Sequence, residues 1–185
     1  MNLLPLVTDN IVELLIKIIE FTQTRQKILI RNLKNIHSPG FVPKDLGVDE
    51  FCNLLNDAID EHIQNQQLKL RDTKSIKFDI SGSLEAKPAV DGCAKKLLEE
   101  NQDEYLKLQI EKLLENALNQ RLAAELLRQR QRTISIGYWT IDYCDQQNEG
   151  ESLDHNRWQS RGRPDPTWWQ NQVMVRLLKF NMRNF

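Results

Sequence analysis

Apolar residues near the N-terminus recur at the spacing of one helix face. Asn10, with Glu13 three residues later, has the form of a capping box, which predicts that a helix begins at Ile11. The helix is predicted over about residues 10–36. Its apolar stripe, of nearly coiled-coil period, comprises Ile11, Leu14, Leu15, Ile18, Phe21, Ile28 and Leu29.

A proline–glycine turn is predicted to end this helix at Ser38-Pro39-Gly40. Proline disfavours the helical conformation in the residue before it, and Pro-Gly suits the two central positions of a type II turn. Asn32 and Asn35 are weak helix formers, so their place in the last turns indicates polar contacts or capping rather than helix propensity.

The middle of the chain shows shorter patterns. Residues 41–46 are expected to be extended or turn-like, and Asp45 or Asp49 is placed to cap a second helix over about residues 48–68. Cys52 is expected to be a small buried residue of that helix. One short strand is predicted where the apolar residues Ile76, Phe78 and Ile80 alternate with polar ones.

A second long helix is predicted over about residues 98–132. Its apolar stripe steps by fours and threes, with Gln120 at one polar position. Lys112 and Glu115 are expected on the remaining, charged face. The stripe comprises Leu106, Ile110, Leu113, Ala117, Ala124 and Leu127. A further row widens it, so that the helix can contact more than one neighbour: Leu114, Leu118, Leu122 and Leu126.

These patterns predict a mainly α-helical protein. The two long amphipathic helices are expected to form an antiparallel coiled-coil hairpin, with a loop-rich middle that holds a short helix and a strand. Residues 1–136 would form the helical domain, and residues 137–185 an irregular, poorly ordered extension that carries all four tryptophans and many arginines. Interleaved Trp and Arg can bind single-stranded nucleic acid, but a disordered tail or an altered reading frame is the favoured interpretation.

Composition and motifs argue against an enzyme. The net charge of −1 gives no electrostatic reason to expect a nucleic acid or an anionic membrane as partner. Three scattered cysteines and three histidines form neither a disulfide framework nor a metal site. The sequence contains no phosphate-binding loop, nucleophile elbow or zinc-protease motif. We therefore predict no catalytic residues, no metal, no cofactor and no small-molecule substrate.

The N-terminal apolar run has no basic start and no small-residue cleavage site, and polar residues interrupt it. Neither a cleaved secretory signal nor a transmembrane helix is expected there.

The N-terminal helix and turn resemble the signature of the bacterial flagellar rod and hook axial proteins. That signature is an arginine-bearing helix followed by N-x-x-N and then T/S-P-G-Y. Lys44-Asp45-Leu46 continues it in the manner of the proximal rod proteins. The matching residues are Arg25, Gln26, Leu29, Asn32, Asn35, Ser38, Pro39, Gly40 and Phe41. The departures are Ile30 and Lys34, where small residues are usual, and Phe41, where tyrosine is usual.

The C-terminal helix resembles the same family, in which an E-N-A-L segment lies on an apolar-spaced helix with a paired leucine near its end. The matching residues are Leu106, Ile110, Leu113, Glu115, Asn116, Ala117, Leu118, Leu126 and Leu127. Rod proteins of this type usually stop near the position of Ile136, so the extension departs from the family.

The resemblance implies a structural subunit of the flagellar basal body that forms the proximal rod and is required for flagellum-dependent motility. It implies type III export without a cleaved signal, a periplasmic location in the rod, and self-association in a helical assembly. The implied partners are the rod proteins FlgC, FlgF and FlgG, the adaptor FliE and the export gate. Two alternatives stay open: a sibling rod protein such as FlgC, and a coiled-coil interaction module unrelated to flagella.

Overall fold

The computed structural model describes residues 4–65 and 67–147, and the side-chain surroundings of residues 10–65 and 67–132. The chain divides into two compact units, Met1–Leu127 and Arg128–Phe185, and the contacts described below lie in the first. The described chain is mainly α-helical with two small two-stranded sheets, as the sequence pattern predicts at the level of fold class.

Helix α1 spans Leu4–Lys34, so it begins earlier and ends slightly earlier than the predicted range of 10–36. Asn10 lies inside the helix, and the prediction that it caps the helix start is wrong. Its side-chain amide instead lies 3.2 Å from the ring nitrogen Nδ1 of His62. Pro5 is tolerated because it sits in the first turn, where a missing N–H removes no helical hydrogen bond.

The turn after α1 has the predicted type II geometry. The Phe41 N–H donates to the Ser38 carbonyl oxygen over 3.1 Å, which closes a four-residue turn around Pro39 and Gly40. Gly40 has a φ of +70°, the left-handed value that a type II turn requires at its third residue.

Strand β1 (Lys44–Asp45) follows the turn, and helix α2 (Val48–Asn65) comes next, ending three residues before its predicted end at Leu68. The ring of Phe51 on α2 stacks on that of Phe21 on α1, with 4.0 Å between the centroids. Cys52 is only half-buried, so its predicted full burial is wrong. The buried residues of α2 are Phe51, Leu54, Leu55, Ala58 and Ile59.

Within the described residues, three more short strands follow α2, where one was predicted. Strands β2 (Ile76–Phe78) and β3 (Leu84–Ala86) form an antiparallel hairpin, and β4 (Ala89–Val90) pairs antiparallel with β1. The backbone N–H of Leu84 donates to a carboxylate oxygen of Glu20 over 3.1 Å, which attaches the hairpin to α1. Strands of two or three residues are too short to produce a readable alternation, so the sequence pattern did not reveal β3 and β4.

The predicted C-terminal helix is divided in two. Helix α3 spans Gly92–Glu100 and helix α4 spans Gln102–Gln147. Asn101 between them is extended, with φ −152° and ψ 101°. Its Oδ1 accepts the backbone N–H of Asp103 over 3.1 Å, as a helix N-cap does. The predicted long helix corresponds to α4, which begins four residues after the predicted start at 98 and continues past the predicted end at 132, while residues 98–100 belong to α3.

Helix α4 continues past residue 136, where the sequence analysis placed the end of the helical domain, and reaches Gln147. The rest of the predicted extension, residues 148–185, lies outside the described residues. In the part of the chain that the structure describes, no helix is both long and apolar enough to span a lipid bilayer.

Candidate functional site

Polar side chains line the contact between α1 and α4. Tyr105 and Gln109 are each 0% exposed and Asn116 is 1% exposed, while Lys112 between them is partly buried. These positions step by four, three and four residues, the spacing that keeps a row on one face of a helix toward a partner helix. We call Tyr105, Gln109, Lys112 and Asn116 the polar seam.

Asn32 on α1 joins the polar seam to the segment after the turn. Its Nδ2 donates to the Lys44 carbonyl oxygen over 2.8 Å and to the Gln109 Oε1 over 3.0 Å, and its Oδ1 accepts the Lys44 N–H over 3.2 Å. The Tyr105 hydroxyl donates to the Asn32 carbonyl oxygen over 3.2 Å. Asn32 therefore satisfies both backbone groups of Lys44, as a neighbouring strand would.

Five charged side chains meet beside the polar seam. Arg25 on α1 binds Asp45 through two hydrogen bonds, Nε to Oδ1 over 2.9 Å and Nη2 to Oδ2 over 3.0 Å. Its Nη1 lies 3.8 Å from Glu115. The Lys112 ammonium lies 3.0 Å from Asp45 and 2.5 Å from Asp91. We call Arg25, Asp45, Asp91, Lys112 and Glu115 the charge cluster.

The charge cluster favours the ionised forms of two of its members, Asp45 and Lys112. Burial favours the neutral carboxyl of Asp45, but the hydrogen bonds and charges of Arg25 and Lys112 outweigh burial and lower the pKa below its ordinary 3.8. Burial also favours neutral Lys112, but Asp91 and Asp45 outweigh it and raise the pKa above 10.5. Burial, with the nearby charge of Asp91, raises the pKa of Tyr105 to about 12, so its hydroxyl stays a hydrogen-bond donor.

The contacts between the two helices follow an antiparallel order. The Asn116 amide donates to the Thr22 carbonyl oxygen over 2.8 Å, whereas Gln109, seven residues earlier on α4, contacts Asn32, ten residues later on α1. Within Met1–Leu127, α1 and α4 therefore run in opposite directions along their contact.

The structure brings together only part of the predicted site. Four of the predicted site residues are buried. Three lie on α1, namely Arg25, Leu29 and Asn32, and the fourth is Asn116 on α4. The exposed or half-buried residues at the end of α1 and in the turn are Asn35, Ser38, Pro39, Gly40 and Phe41. The Asn35 amide donates to the Arg31 carbonyl over 2.8 Å and so caps the helix end, a role consistent with the polar contacts expected of it.

The apolar stripe of α4 does not form the contact that the sequence suggested. Ile110 is 56% exposed and Ala117 is also exposed, because the polar seam occupies the side of α4 that faces α1. Leu114 and Leu118 in the second row are 61% and 55% exposed. The half-buried members of the predicted stripe are Leu106, Leu113 and Leu127. We call Ile110, Leu114, Ala117 and Leu118 the apolar face.

Sequence reasoning missed most of the polar seam and the contribution of α4 to the charge cluster. Lys112 and Glu115 were expected to face water, but only 21% and 22% of their side chains are exposed. The sequence does contain a pattern that indicates the polar seam. Tyr105, Gln109 and Asn116 have the same spacing as the apolar stripe, and each directly precedes a residue of that stripe. Polar residues at such positions ordinarily form the solvated side of an amphipathic helix, so the contact with the other helix was predicted for the apolar stripe instead.

Among the described residues, no group of histidine, cysteine, aspartate and glutamate side chains could hold a metal ion. Comparison of the chain with protein-family models, with curated proteins and with solved structures finds no match.

Proposed function

We propose that this chain is a structural subunit of the bacterial flagellar basal body that forms the proximal rod, similar to FlgB. The observation that carries the proposal is the meeting of the two stretches that resemble the rod family. Arg25 and Asn32 belong to the first, and Glu115 and Asn116 to the second. Arg25 lies 3.8 Å from Glu115, and Asn116 donates to the Thr22 carbonyl of α1.

The proposal includes an antiparallel coiled-coil hairpin of α1 and α4. The antiparallel order of the contacts supports it, as does the heptad-like spacing of the polar seam. In such a hairpin, the polar seam and the charge cluster fix how the two helices lie against each other, and the apolar face points outward.

The apolar face supplies the surface for assembly. Ile110, Leu114 and Leu118 are each more than half exposed and lie on successive turns of α4. Contiguous apolar surface of this kind marks a binding site for another protein. A subunit of a helical array needs such surface, because each copy must bind neighbours on different sides. The partners proposed for it are further copies, FlgC, FlgF, FlgG, FliE and the export gate.

Deletion of the gene tests the proposal directly. The deletion strain is scored for swimming in soft agar and for rods in purified basal bodies, and we expect both to be lost and to return with the full chain. A chain ending at Gln147 keeps α4 whole and tests the extension separately. Normal swimming and normal rods without the gene would overturn the proposal and favour the interaction module unrelated to flagella.

A further inference from the structure

Charged residues flank the apolar centre of one exposed side of α4. Leu114 and Leu118 lie at the centre, Lys107 and Glu111 precede them, and Arg121 follows. They step by four, three, four and three residues, so they share one side of the helix. We call this side, whose residues are all exposed, the α4 self-complementary row: Lys107, Glu111, Leu114, Leu118 and Arg121.

We infer that this row binds the same row of a second copy of the chain in an antiparallel, two-fold dimer. The two-fold axis passes level with Asn116, midway between Leu114 and Leu118. Leu114 then lies opposite Leu118 of the second copy, and Glu111 lies opposite Arg121. By the same symmetry each of these pairs occurs twice.

The charges of the row favour this register over a parallel pair and over an antiparallel pair centred on Leu114. In a parallel pair each residue lies opposite itself, so Glu111 meets Glu111 and Arg121 meets Arg121. In an antiparallel pair centred on Leu114, Lys107 meets Arg121. Like charges across an interface are unfavourable, and opposite charges in register favour one partner and one orientation. The row thus fits a second copy of itself better than it fits a partner of uniform charge.

The dimer goes beyond the proposed function because it concerns the free chain. A two-fold contact is closed, since each copy uses the same surface that its partner uses. The dimer covers Leu114 and Leu118, which belong to the apolar face, and that face is then not open to other neighbours. The free chain is thereby protected from unspecific association until the dimer dissociates.

Sedimentation equilibrium of the full chain at several protein concentrations tests the dimer. We expect a monomer–dimer equilibrium that weakens as salt rises, since salt screens exposed charge pairs. Glu111→Arg and Arg121→Glu each turn two attractive pairs into repulsive ones and should raise the Kd by about tenfold. The double variant E111R/R121E should return to the Kd of the unchanged chain, because its reversed charges are again opposite.

Mixing the two single variants gives a second readout. In the mixed dimer both pairs are opposite in charge, so the mixture should dimerise although each variant alone does so weakly. Glu85→Arg makes the same charge change on an exposed residue of β3 and should leave the Kd unchanged. Circular dichroism checks that every variant keeps its helices.

Two outcomes would overturn the dimer: an unchanged chain that stays monomeric at every concentration, which would assign the row to a different protein, or a double variant as weak as the single ones. Neither outcome bears on the deletion strain, whose readout is swimming and rod assembly, so a failure of the dimer and a failure of the rod proposal are distinguishable.

Discussion

Asn32 shows how much one side chain can organise. It is 2% exposed, and its side chain bonds the N–H and the carbonyl oxygen of Lys44 and the side chain of Gln109. Water cannot replace these bonds at so buried a position, so each partner would lose its hydrogen bond with the side chain. Asn35, three residues later, bonds only within the exposed end of α1.

Asn32→Ala should therefore lower the free energy of unfolding by about 2–3 kcal/mol, because it removes a hydrogen-bond partner of the fully buried Gln109 and of both backbone groups of Lys44. Asn35→Ala is the matched control and should cost less than about 1 kcal/mol, since solvent reaches its partners. Urea unfolding followed by circular dichroism measures both. Equal losses for the two variants would show that the buried bonds of Asn32 are not special.

Gly40 sits at a backbone conformation that other residues rarely adopt. A Cβ added there meets no heavy atom within 4 Å, so the cost of Gly40→Ala comes from the φ of +70° alone. We expect a loss of about 1–2 kcal/mol in the free energy of unfolding. Gly92→Ala, also without a neighbour within 4 Å but without a positive φ, should cause no loss. Equal free energies of unfolding for the Gly40→Ala and Gly92→Ala proteins would contradict the cost assigned to the positive φ at Gly40.

At the scale of elements, the charge cluster joins α1, β1, the start of α3 and α4. Asp91 illustrates this, since it binds Lys112 and also caps α3 by accepting the Ala94 N–H over 3.0 Å. Buried ion pairs add little net stability because desolvation offsets their attraction, but removing one member leaves the others uncompensated. The charge cluster thus specifies the arrangement of four elements more than it drives folding.

Asp45→Asn should lower the free energy of unfolding at pH 7 by about 3 kcal/mol, because Arg25 and Lys112 lose their shared counter-charge. Glu99→Gln is the control: the Lys95–Glu99 pair is exposed and its atoms are 4.0 Å apart, so the change should stay within about 0.5 kcal/mol. Denaturant unfolding of both variants is the measurement. A small loss at Asp45 would contradict the role of the charge cluster.

The same residue sets a pH dependence. The pKa of Asp45 is lower in the folded chain than its ordinary value of 3.8, so its contribution to stability is full above that value. The contribution is lost as pH falls below 3.8 and through the folded pKa. Unfolding curves measured from pH 6 to pH 2 should therefore converge for the unchanged chain and Asp45→Asn at the acid end.

Local chemistry decided which elements were predictable. Ser38-Pro39-Gly40 defines its turn almost alone, so the turn was predicted correctly. The break at Asn101 was missed because asparagine is compatible with a helix interior and caps only in context. The burial of Gln109 depends on Asn32, which lies 77 residues away in sequence, and no local pattern contains that information.

At the scale of the whole molecule, α4 reverses the usual amphipathic arrangement within Met1–Leu127. Its polar seam faces α1, and its apolar face is exposed. In a surface helix of an isolated globular protein, the apolar side ordinarily faces the core. This arrangement is expected of a chain whose apolar face becomes buried only when other subunits bind to it.

Leu114→Glu should therefore abolish rod assembly and swimming without unfolding the chain, because Leu114 is 61% exposed. Ile63→Glu on α2 is the matched control, since Ile63 is 56% exposed and lies outside the apolar face. Both variants should keep the circular dichroism spectrum of the unchanged chain, and only the second should complement the deletion strain. Complementation by both would exclude the apolar face from assembly.

The polar seam also has a mechanical consequence. A slip of α1 along α4 by one helical turn, about 5.4 Å, would break the bonds of Asn32 with Gln109 and of Asn116 with Thr22 together. A purely apolar contact resists such a slip less, because one leucine can take the place of the next. Under an axial or twisting load, the two helices would move as a single stiff element and transmit the load to whatever is bound at the apolar face.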